Sequence, residues 1–521
     1  MRCYLPLFLA LLSSPALAGG YFYSDSGIVA TGRGGAIIAS TDNQFAQYYN
    51  PAGLIRVEAP TFNIGWSFVQ QNIKFDRLND EDGTFYPAVK NEAPPYNVPQ
   101  IGFATPINKW VAIAFGFTSP FAPSALYDED GPQRYTIIDT EIYQFSITPA
   151  IAVRPIKQLT IGAGFQWKYM GIGERLKITM SGNDDPGGDI VVDARLKDLF
   201  TPSFTAGVLV EPIEALSIGL SVQPPVSFET KGTGELDFSG NVFESLIEPP
   251  NPDDCEDPDD LEACPRIFTD DDVTMTIDLP LVLRGGVAVR PIKPLEIEFA
   301  VVYQAWKVLE DIVVKDINIE VVSALGPAAV DEELALPASF RDTTSFRLGA
   351  EYDVIKQLSV RMGGFYETGA LKTEDLSVAL VDPSKYQIGA GATVRLLQER
   401  LIFDIGAAYL AFTKQEIRNS NVSQINAGVF NDDVAVVGNG DIKANGWLLG
   451  AQVSWAMRNL GKKKKAIKPK NVGKHVDEEV VEEAESVPVE VDEVEVDEVE
   501  VDDENTDAEA PAKEEPTEDQ P

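Results

Sequence analysis

The 521-residue chain holds a single histidine, His475, and it stands in a charged tail. A Ser-His-Asp site, a Cys-His site or a histidine-ligated zinc therefore has no candidate in the body of the protein. Cysteine is nearly as scarce. Of the three, Cys3 lies at the N-terminus, while Cys255 and Cys264 sit nine apart in a loop dense with Asp, Glu and Pro. In an oxidising compartment two such neighbours most simply form a disulfide that pins the loop. Asp253, Asp254, Glu256, Asp257, Asp259 and Asp260 are hard oxygen donors, so a calcium site is a second reading, although the spacing is not that of an EF-hand. A solvated acidic loop is the third. The formal charge is −39, from 42 Lys and Arg against 81 Asp and Glu, and leaves no basic surface to neutralise nucleic acid. The chemistry left to this chain is binding: neither catalysis nor a cofactor or metal is expected.

Export comes before positioning. Residues 1–18 read as a signal peptide: Arg2 supplies the positive start, Leu5 to Leu12 the apolar stretch, and Ala16-Leu17-Ala18 the small-x-small cleavage site. An uncleaved anchor helix is the alternative, but the apolar run is far below the ~20 residues that a span needs. Past residue 18 no apolar run of 18 residues occurs. The mature chain is then either soluble outside the cytoplasm or a β-barrel.

A short turn recurs along the body. It appears as Pro106-Ile107-Asn108-Lys109-Trp110, Arg154-Pro155-Ile156-Lys157-Gln158-Leu159, Glu211-Pro212-Ile213-Glu214-Ala215-Leu216 and Arg290-Pro291-Ile292-Lys293-Pro294-Leu295. A proline-free copy is Asp353-Val354-Ile355-Lys356-Gln357-Leu358, and a looser one runs from Arg395 to Leu401. Proline lacks an N–H and fixes φ, so it ends strands and opens tight turns. After each turn the residues alternate. Leu159, Ile161, Ala163, Phe165, Trp167 and Tyr169 share one face, with Thr160, Gly162, Gly164, Gln166 and Lys168 on the other. Leu216 to Gln223 and Leu358 to Gly363 repeat the pattern. Period two is the strand signal.

Six tight turns separate seven segments, each reading strand, polar loop, strand. That predicts an all-β, 14-stranded antiparallel transmembrane barrel with short turns on one rim and long loops on the other, an outer-membrane arrangement. The expected loops include 77–95, 119–132, 179–189, 237–269, 316–336 and 419–439. Trp110, Trp167, Tyr303, Trp306, Tyr352, Tyr366, Tyr409, Trp447 and Trp455 fall near strand ends, where aromatic girdles belong. A soluble sandwich would bury the apolar face instead, and pattern alone does not separate the two.

Residues 19–58 do not alternate. They carry Gly32-Arg33-Gly34-Gly35-Ala36, Asp42 and Tyr48-Tyr49-Asn50-Pro51-Ala52-Gly53-Leu54. A compact, glycine-rich segment before the first strand could fold into the lumen as a plug, or form a periplasmic extension. These residues resemble the N-terminal hatch of the long-chain fatty acid outer-membrane transporter family (FadL/TodX type). The resemblance continues through Gly207 to Pro212 with Leu216 to Gly219, through Gly286 to Pro291 with Tyr303 and Trp306, and through Phe340-Arg341-Asp342 with Phe346 to Tyr352, covering roughly residues 30–458. It implies a fourteen-stranded barrel plugged by its hatch, and passive uptake of a hydrophobic compound. The compound would be captured outside, held in a lumenal pocket, and released through a gap in the wall when the hatch moves. The chain departs from the family in its long C-terminal tail and in a short 179–189 loop, which puts the outer capture groove in question.

The domains expected are a signal peptide (1–18), a hatch (19–58), a barrel (59–459) and a disordered acidic periplasmic tail (460–521). Counting phase from Phe346 and Leu348 as outward turns Arg341, Arg347 and Arg361 inward, where a ligand carboxylate could meet them; pairing with Glu296, Glu298 or Glu351 is the alternative. A basic residue in Phe340-Arg341-Asp342 also resembles the family's headgroup contact. Asn50, Pro51, Ala52 and Gly53 are the gating candidates, or simply a structural turn, and Phe22 is a candidate to insert beside ligand. Each buried CH₂ is worth about 0.8 kcal/mol, so a 16-carbon chain gains on the order of 10 kcal/mol before entropy losses. The last 60 residues hold 8 lysines against 22 acids and supply −14 of the formal charge, leaving −25 elsewhere. That repels a carboxylate, yet is screened beyond ~8 Å. Long-chain fatty acids are thus the leading ligand, with neutral or aromatic hydrocarbons as alternatives. Other expected surroundings are outer-membrane lipid and lipopolysaccharide. The Val489 to Val501 stretch alternates apolar residues with acids, and its charge predicts disorder, with a basic periplasmic partner as the functional reading. A general diffusion porin or a surface-structural barrel is the competing function, and the plug-like segment argues against the porin.

Overall fold

In a computed structural model the alternating segments close on themselves. The structure describes residues 26–79, 82–121, 124–181, 184–250, 264–309, 311–323, 326–329, 333–337, 339–425 and 435–458. The signal-peptide stretch, Phe22, Cys255 with its acidic neighbours, and the tail from 459 onward lie outside them.

Fourteen antiparallel strands form one barrel. They are β1 (Thr61–Arg77), β2 (Tyr96–Asn108), β3 (Val111–Phe121), β4 (Asp139–Ile156), β5 (Leu159–Thr179), β6 (Asp189–Ile213) and β7 (Leu216–Gln223, resumed as Val226–Asp237). Then follow β8 (Ile267–Leu279 and Val282–Ile292), β9 (Leu295–Gln304 and Asp311–Lys315), β10 (Glu333–Pro337 and Thr343–Ile355) and β11 (Leu358–Glu367). The last three are β12 (Lys385–Leu396), β13 (Leu401–Phe412, then Gln415–Ile417) and β14 (Gly440–Ala456). β14 closes onto β1 from Thr61↔Ala456 to Arg77↔Gly440, which removes both sheet edges.

The recurring turn has a direct structural meaning. Its isoleucine and leucine are the last pair of each hairpin: Ile156↔Leu159, Ile213↔Leu216, Ile292↔Leu295 and Ile355↔Leu358. In three of them a proline without an N–H precedes the isoleucine; the register shifts at all four, including the Val354-Ile355 turn. The Asn108 turn works differently: its Oδ1 accepts the N–H groups of Trp110 (2.7 Å) and Val111 (3.1 Å).

The alternation faces outward as expected. Ile161, Phe165, Trp167, Leu220 and Met362 are exposed on the outer wall, while Gly162, Gln166, Lys168 and Ser221 turn inward. No helix among the described residues is long and apolar enough to cross a membrane, so the strands are the spanning elements. One aromatic expectation fails. Trp306 is not a girdle residue: it lies in a 3₁₀ turn (Trp306–Val308) that interrupts β9 and is buried in the apolar interior. The 119–132 loop also begins later than expected, because Ser124–Leu126 still pairs with β4. A further loop spans 368–384, and its many apolar residues set it apart from the polar loops.

The lumen has two zones. At the short-turn end residues 26–58 fill it with α1 (Ile28–Gly32), α2 (Ala46–Tyr49) and a 3₁₀ turn (Pro51–Arg56), nearly all buried. Toward the long-loop end the inward side chains change character. Ile142, Met170, Ile172, Leu196, Phe228 and Met275 are among those in one continuous apolar cluster.

Candidate functional site

The N-terminal segment is seated by glycines. Inward-facing Gly162 (β5), Gly363 (β11) and Gly389 (β12) meet the segment's backbone at Pro51–Ala52, Arg33 and Thr31, where any Cβ would overlap it. Polar anchors do the rest. Glu298 on β9 accepts the backbone N–H groups of Ile38 (2.5 Å) and Ala39 (2.9 Å) on Oε1, and that of Ser40 (2.9 Å) on Oε2. Asn50 Nδ2 donates to the carbonyls of Ile38 (3.0 Å) and Val208 (3.1 Å), while its Oδ1 accepts Ala52 N–H (3.2 Å). Arg33 pairs with Glu296 at 2.9 Å and Arg56 with Glu211 at 3.0 Å. Of the gating candidates, Asn50 is therefore a cross-lumen tie, Pro51 and Ala52 press on Gly162, and Gly53 lies against Thr41. Below the segment opens a charged cavity of ≈ 340 Å³, lined by Arg33, Arg56, Glu296, Glu351, Arg361 and Asp404 among others.

The three arginines fall in different places. Arg347 is inward and buried: Nη1 donates to Gly34 O (3.4 Å), Nε to Ser345 Oγ (3.0 Å), and Glu367 lies 3.9 Å away. Arg361 is inward and matched by Asp404 at 3.3 Å and Glu351 at 3.4 Å. Arg341 is a correction: it is exposed, ahead of the second stretch of β10, and bonds the Leu371 carbonyl. Phase counting back from Phe346 failed because β10 is broken before Thr343, which resets the alternation.

Two lumenal cations that were not singled out stand apart. Lys168 on β5 is 3% exposed and has no hydrogen-bond or ion-pair partner among the described residues. Arg284 on β8 is 4% exposed, covers the Tyr48 ring at 5.1 Å, and keeps a buried Nη1 without an acceptor. The two lie within electrostatic reach of one another. The signal was available: each is a charge on the small, polar face of an alternating strand.

Above them the apolar chamber is roofed by the 368–384 loop, whose Leu371, Leu376, Val378, Leu380 and Val381 are buried in it. Asp382 anchors this lid, accepting Ala370 N–H (3.2 Å) and pairing with Lys385 at 2.6 Å. Burial outweighs the Lys385 charge, and with Glu367 nearby pushes the Asp382 carboxyl up to about 6. The first three outer loops are tied together by Arg77–Asp184 (3.0 Å), Arg134–Asp184 (3.1 Å) and Arg134–Asp189 (2.7 Å), with Tyr135 donating to Asp189 at 2.7 Å. Burial first, then the Asp189 charge, pushes the Tyr135 hydroxyl up. Cys264 is disulfide-bonded.

The wall is not zipped throughout. The β2–β3 ladder stops at Ile101↔Phe117, above which β3 carries Pro120 and a register shift against β4. The β6–β7 ladder runs from Ile213↔Leu216 to Ala206↔Val222, ceases, and resumes at Lys197↔Lys231. Residues 198–205 and 223–230 are thus unpaired with one another, and each strand resets its alternation inside this stretch: Leu199 and Phe200 are both exposed on β6, and Gln223 and Val226 are both buried on β7.

Residues 9–457 match the family described as outer membrane protein transport protein (OMPP1/FadL/TodX). Among solved structures, a Pseudomonas aeruginosa FadL homologue superposes with TM-score 0.65 at 15% identity, covering 84% of this chain and 100% of that one. The Ralstonia pickettii toluene transporter TbuX gives 0.56 at 16%, covering 82% and 98%. The P. putida toluene transporter TodX gives 0.58 at 14%, covering 83% and 99%. No curated protein matches the chain.

Proposed function

The chain belongs to the OMPP1/FadL/TodX family of outer-membrane transport proteins, and from that premise we propose that it takes up hydrophobic compounds passively, long-chain fatty acids foremost. The observation that carries the reading is the two-zone lumen. The outer chamber is apolar and roofed by an apolar lid, so it can hold a chain at about 0.8 kcal/mol per buried CH₂. The inner end is closed by the N-terminal segment, and the space beyond is charged. An oily solute gains nothing by entering that cavity, since it would displace water from ions. Passage therefore ends sideways, through the wall, when the segment shifts. No barrier-crossing chemistry is involved, and no enzyme activity is assigned.

A second substrate class rests on the toluene transporters among the structural relatives. Monoaromatic hydrocarbons carry no headgroup, so uptake separates the classes. Cells with and without the protein are given labelled oleate, labelled toluene and a labelled disaccharide. Oleate uptake is expected to rise several-fold and disaccharide uptake to stay at background. A rise for toluene without one for oleate moves the assignment to neutral hydrocarbons. A rise for the disaccharide alone makes the protein a porin and removes the reading.

A further inference from the structure

We propose that Glu174 and Thr140 form a hydrogen-bonding station in the outer chamber for the uncharged hydroxyl head of a long-chain amphiphile, an alcohol or an undissociated fatty acid. The station rests on the transport reading and adds a head chemistry to it.

Glu174 is a carboxyl without a partner. It stands on the inward face of β5, above Met170 and Ile172, and is 4% exposed. No hydrogen bond or ion pair reaches it among the described residues, and its Oε1 is enclosed. Other lumenal acids are engaged. Glu298 holds three backbone N–H groups, and Asp404 meets Arg361 at 3.3 Å. Glu367 and Asp382 share Lys385, at 2.8 and 2.6 Å. An ionised carboxylate buried with no cation is so costly that the group stands as the neutral acid. In that form it has one O–H to donate and an oxygen to accept.

A second unpartnered group stands beside it. Thr140 on β4 pairs in register with Glu174, as does Ala194 on β6. Thr140 is fully buried and its Oγ1 has no hydrogen-bond partner. Each of these polar groups has lost water without gaining a bond, which destabilises the empty chamber. A head that reaches both removes that cost.

The wall leaves a recess at this height. Thr140 and Ala194, on either side of Glu174, are small. The tier below consists of Ile142, Ile172 and Leu196, and the next tier above carries Leu176 and Val192. The carboxyl and the hydroxyl therefore lie between two bulky apolar tiers. Below them Ile172 and Met170 continue the inward face of β5, so a head held at Glu174 leaves its tail against apolar wall.

The ligand class follows from the donors and acceptors. An undissociated carboxylic acid can exchange two O–H···O bonds with Glu174. An alcohol can accept the Glu174 proton and donate its own to Thr140 Oγ1. A hydrocarbon leaves both groups unpaired. A carboxylate would bring a charge into a dry wall with no cation at Glu174, so oleate is held there through its protonated fraction.

The test uses the full chain in cells, with labelled oleyl alcohol and octadecene, which differ in the head alone. Uptake is counted per molecule of protein in the outer membrane. Unmodified protein should favour the alcohol. E174L should lower the alcohol-to-octadecene ratio about fivefold or more and leave octadecene uptake unchanged. E174Q, whose amide donates and accepts, should keep most of the ratio, and T140V should lower it less than E174L does. An unchanged ratio in E174L overturns the station. Equal loss of both probes in E174L and E174Q alike makes Glu174 a structural residue and overturns it too. Where E174L fails to reach the outer membrane, T140V decides, and a ratio unchanged by it counts against the station. Labelled oleate then identifies the head: a matching fall in E174L assigns the station to fatty acids as well, and no fall assigns it to alcohols. If unmodified protein moves none of the probes above cells lacking it, the transport reading itself fails, a result distinct from a lost ratio.

Discussion

Single residues seat the N-terminal segment in the lumen, and a carboxylate makes three of the contacts. Glu298 holds three backbone N–H groups of the segment that blocks the lumen. Its removal leaves three buried donors, each unsatisfied group costing about 1–3 kcal/mol. E298A is therefore expected to unseat residues 36–42, while E298Q, which keeps an acceptor, should do so less. The check is entry of a hydrophilic antibiotic: sensitivity should rise markedly for the alanine variant and little for the glutamine one. Gly162→Val tests the same seat by shape, since its side chain would occupy the position of Pro51–Ala52. It should increase protease cleavage within residues 26–58 of outer-membrane-embedded protein, whereas Ala163→Val, on the outward face beside it, should not. Arg347 and Arg361 illustrate how a plausible ligand cation becomes structural: both face the lumen, and each already has a partner in the chain.

At the scale of elements, strands with lost pairing matter more than strands with perfect pairing. Proline stands at most of the rim turns and beside the partings, where a missing donor ends a ladder, although the Val354-Ile355 turn forms the same hairpin without one. The 368–384 lid adds a titratable device. Asp382 is ionised at neutral pH and paired with Lys385, and its carboxyl is held up to about 6. An opened lid would return it to an ordinary value near 4. Between these values the closed lid binds a proton that the open lid does not, so closure is favoured as pH falls from 7 toward 5 and weakened as pH rises through 6. Hydrogen exchange of amides 370–381, corrected for intrinsic rate, should show protection increasing over that fall. D382N should flatten the response, and a flat response in the unmodified protein would refute the assignment.

At the scale of the molecule, closure is complete by Ala456, which pairs with Thr61. The described strands shut the barrel before Arg458. A chain truncated after Leu460 should insert and take up oleate at the unmodified rate per molecule. A loss of uptake with normal insertion would make the acidic tail part of the transport path. One barrel thus combines outward apolar residues, an apolar outer chamber and a charged inner cavity.

What the sequence determined by itself was everything carried by local periodicity. Period two decides which side chains share a face, and Pro-Ile-x-x-Leu decides where a hairpin turns, so the strand count, the two rims and the outward wall were legible. The glycine-rich segment was legible as a candidate plug because bare backbone invites close approach. The tertiary structure alone decided which lumenal charges are matched. Arg33 finds Glu296 across 263 residues and Asn50 finds Val208 across 158; periodicity places each on a face but says nothing of its height against a neighbouring strand. The same holds for the exposed position of Arg341, the burial of Trp306, and the seam between β6 and β7. Each depends on which residues of two strands come opposite one another, and pairing between distant segments leaves no mark within either of them.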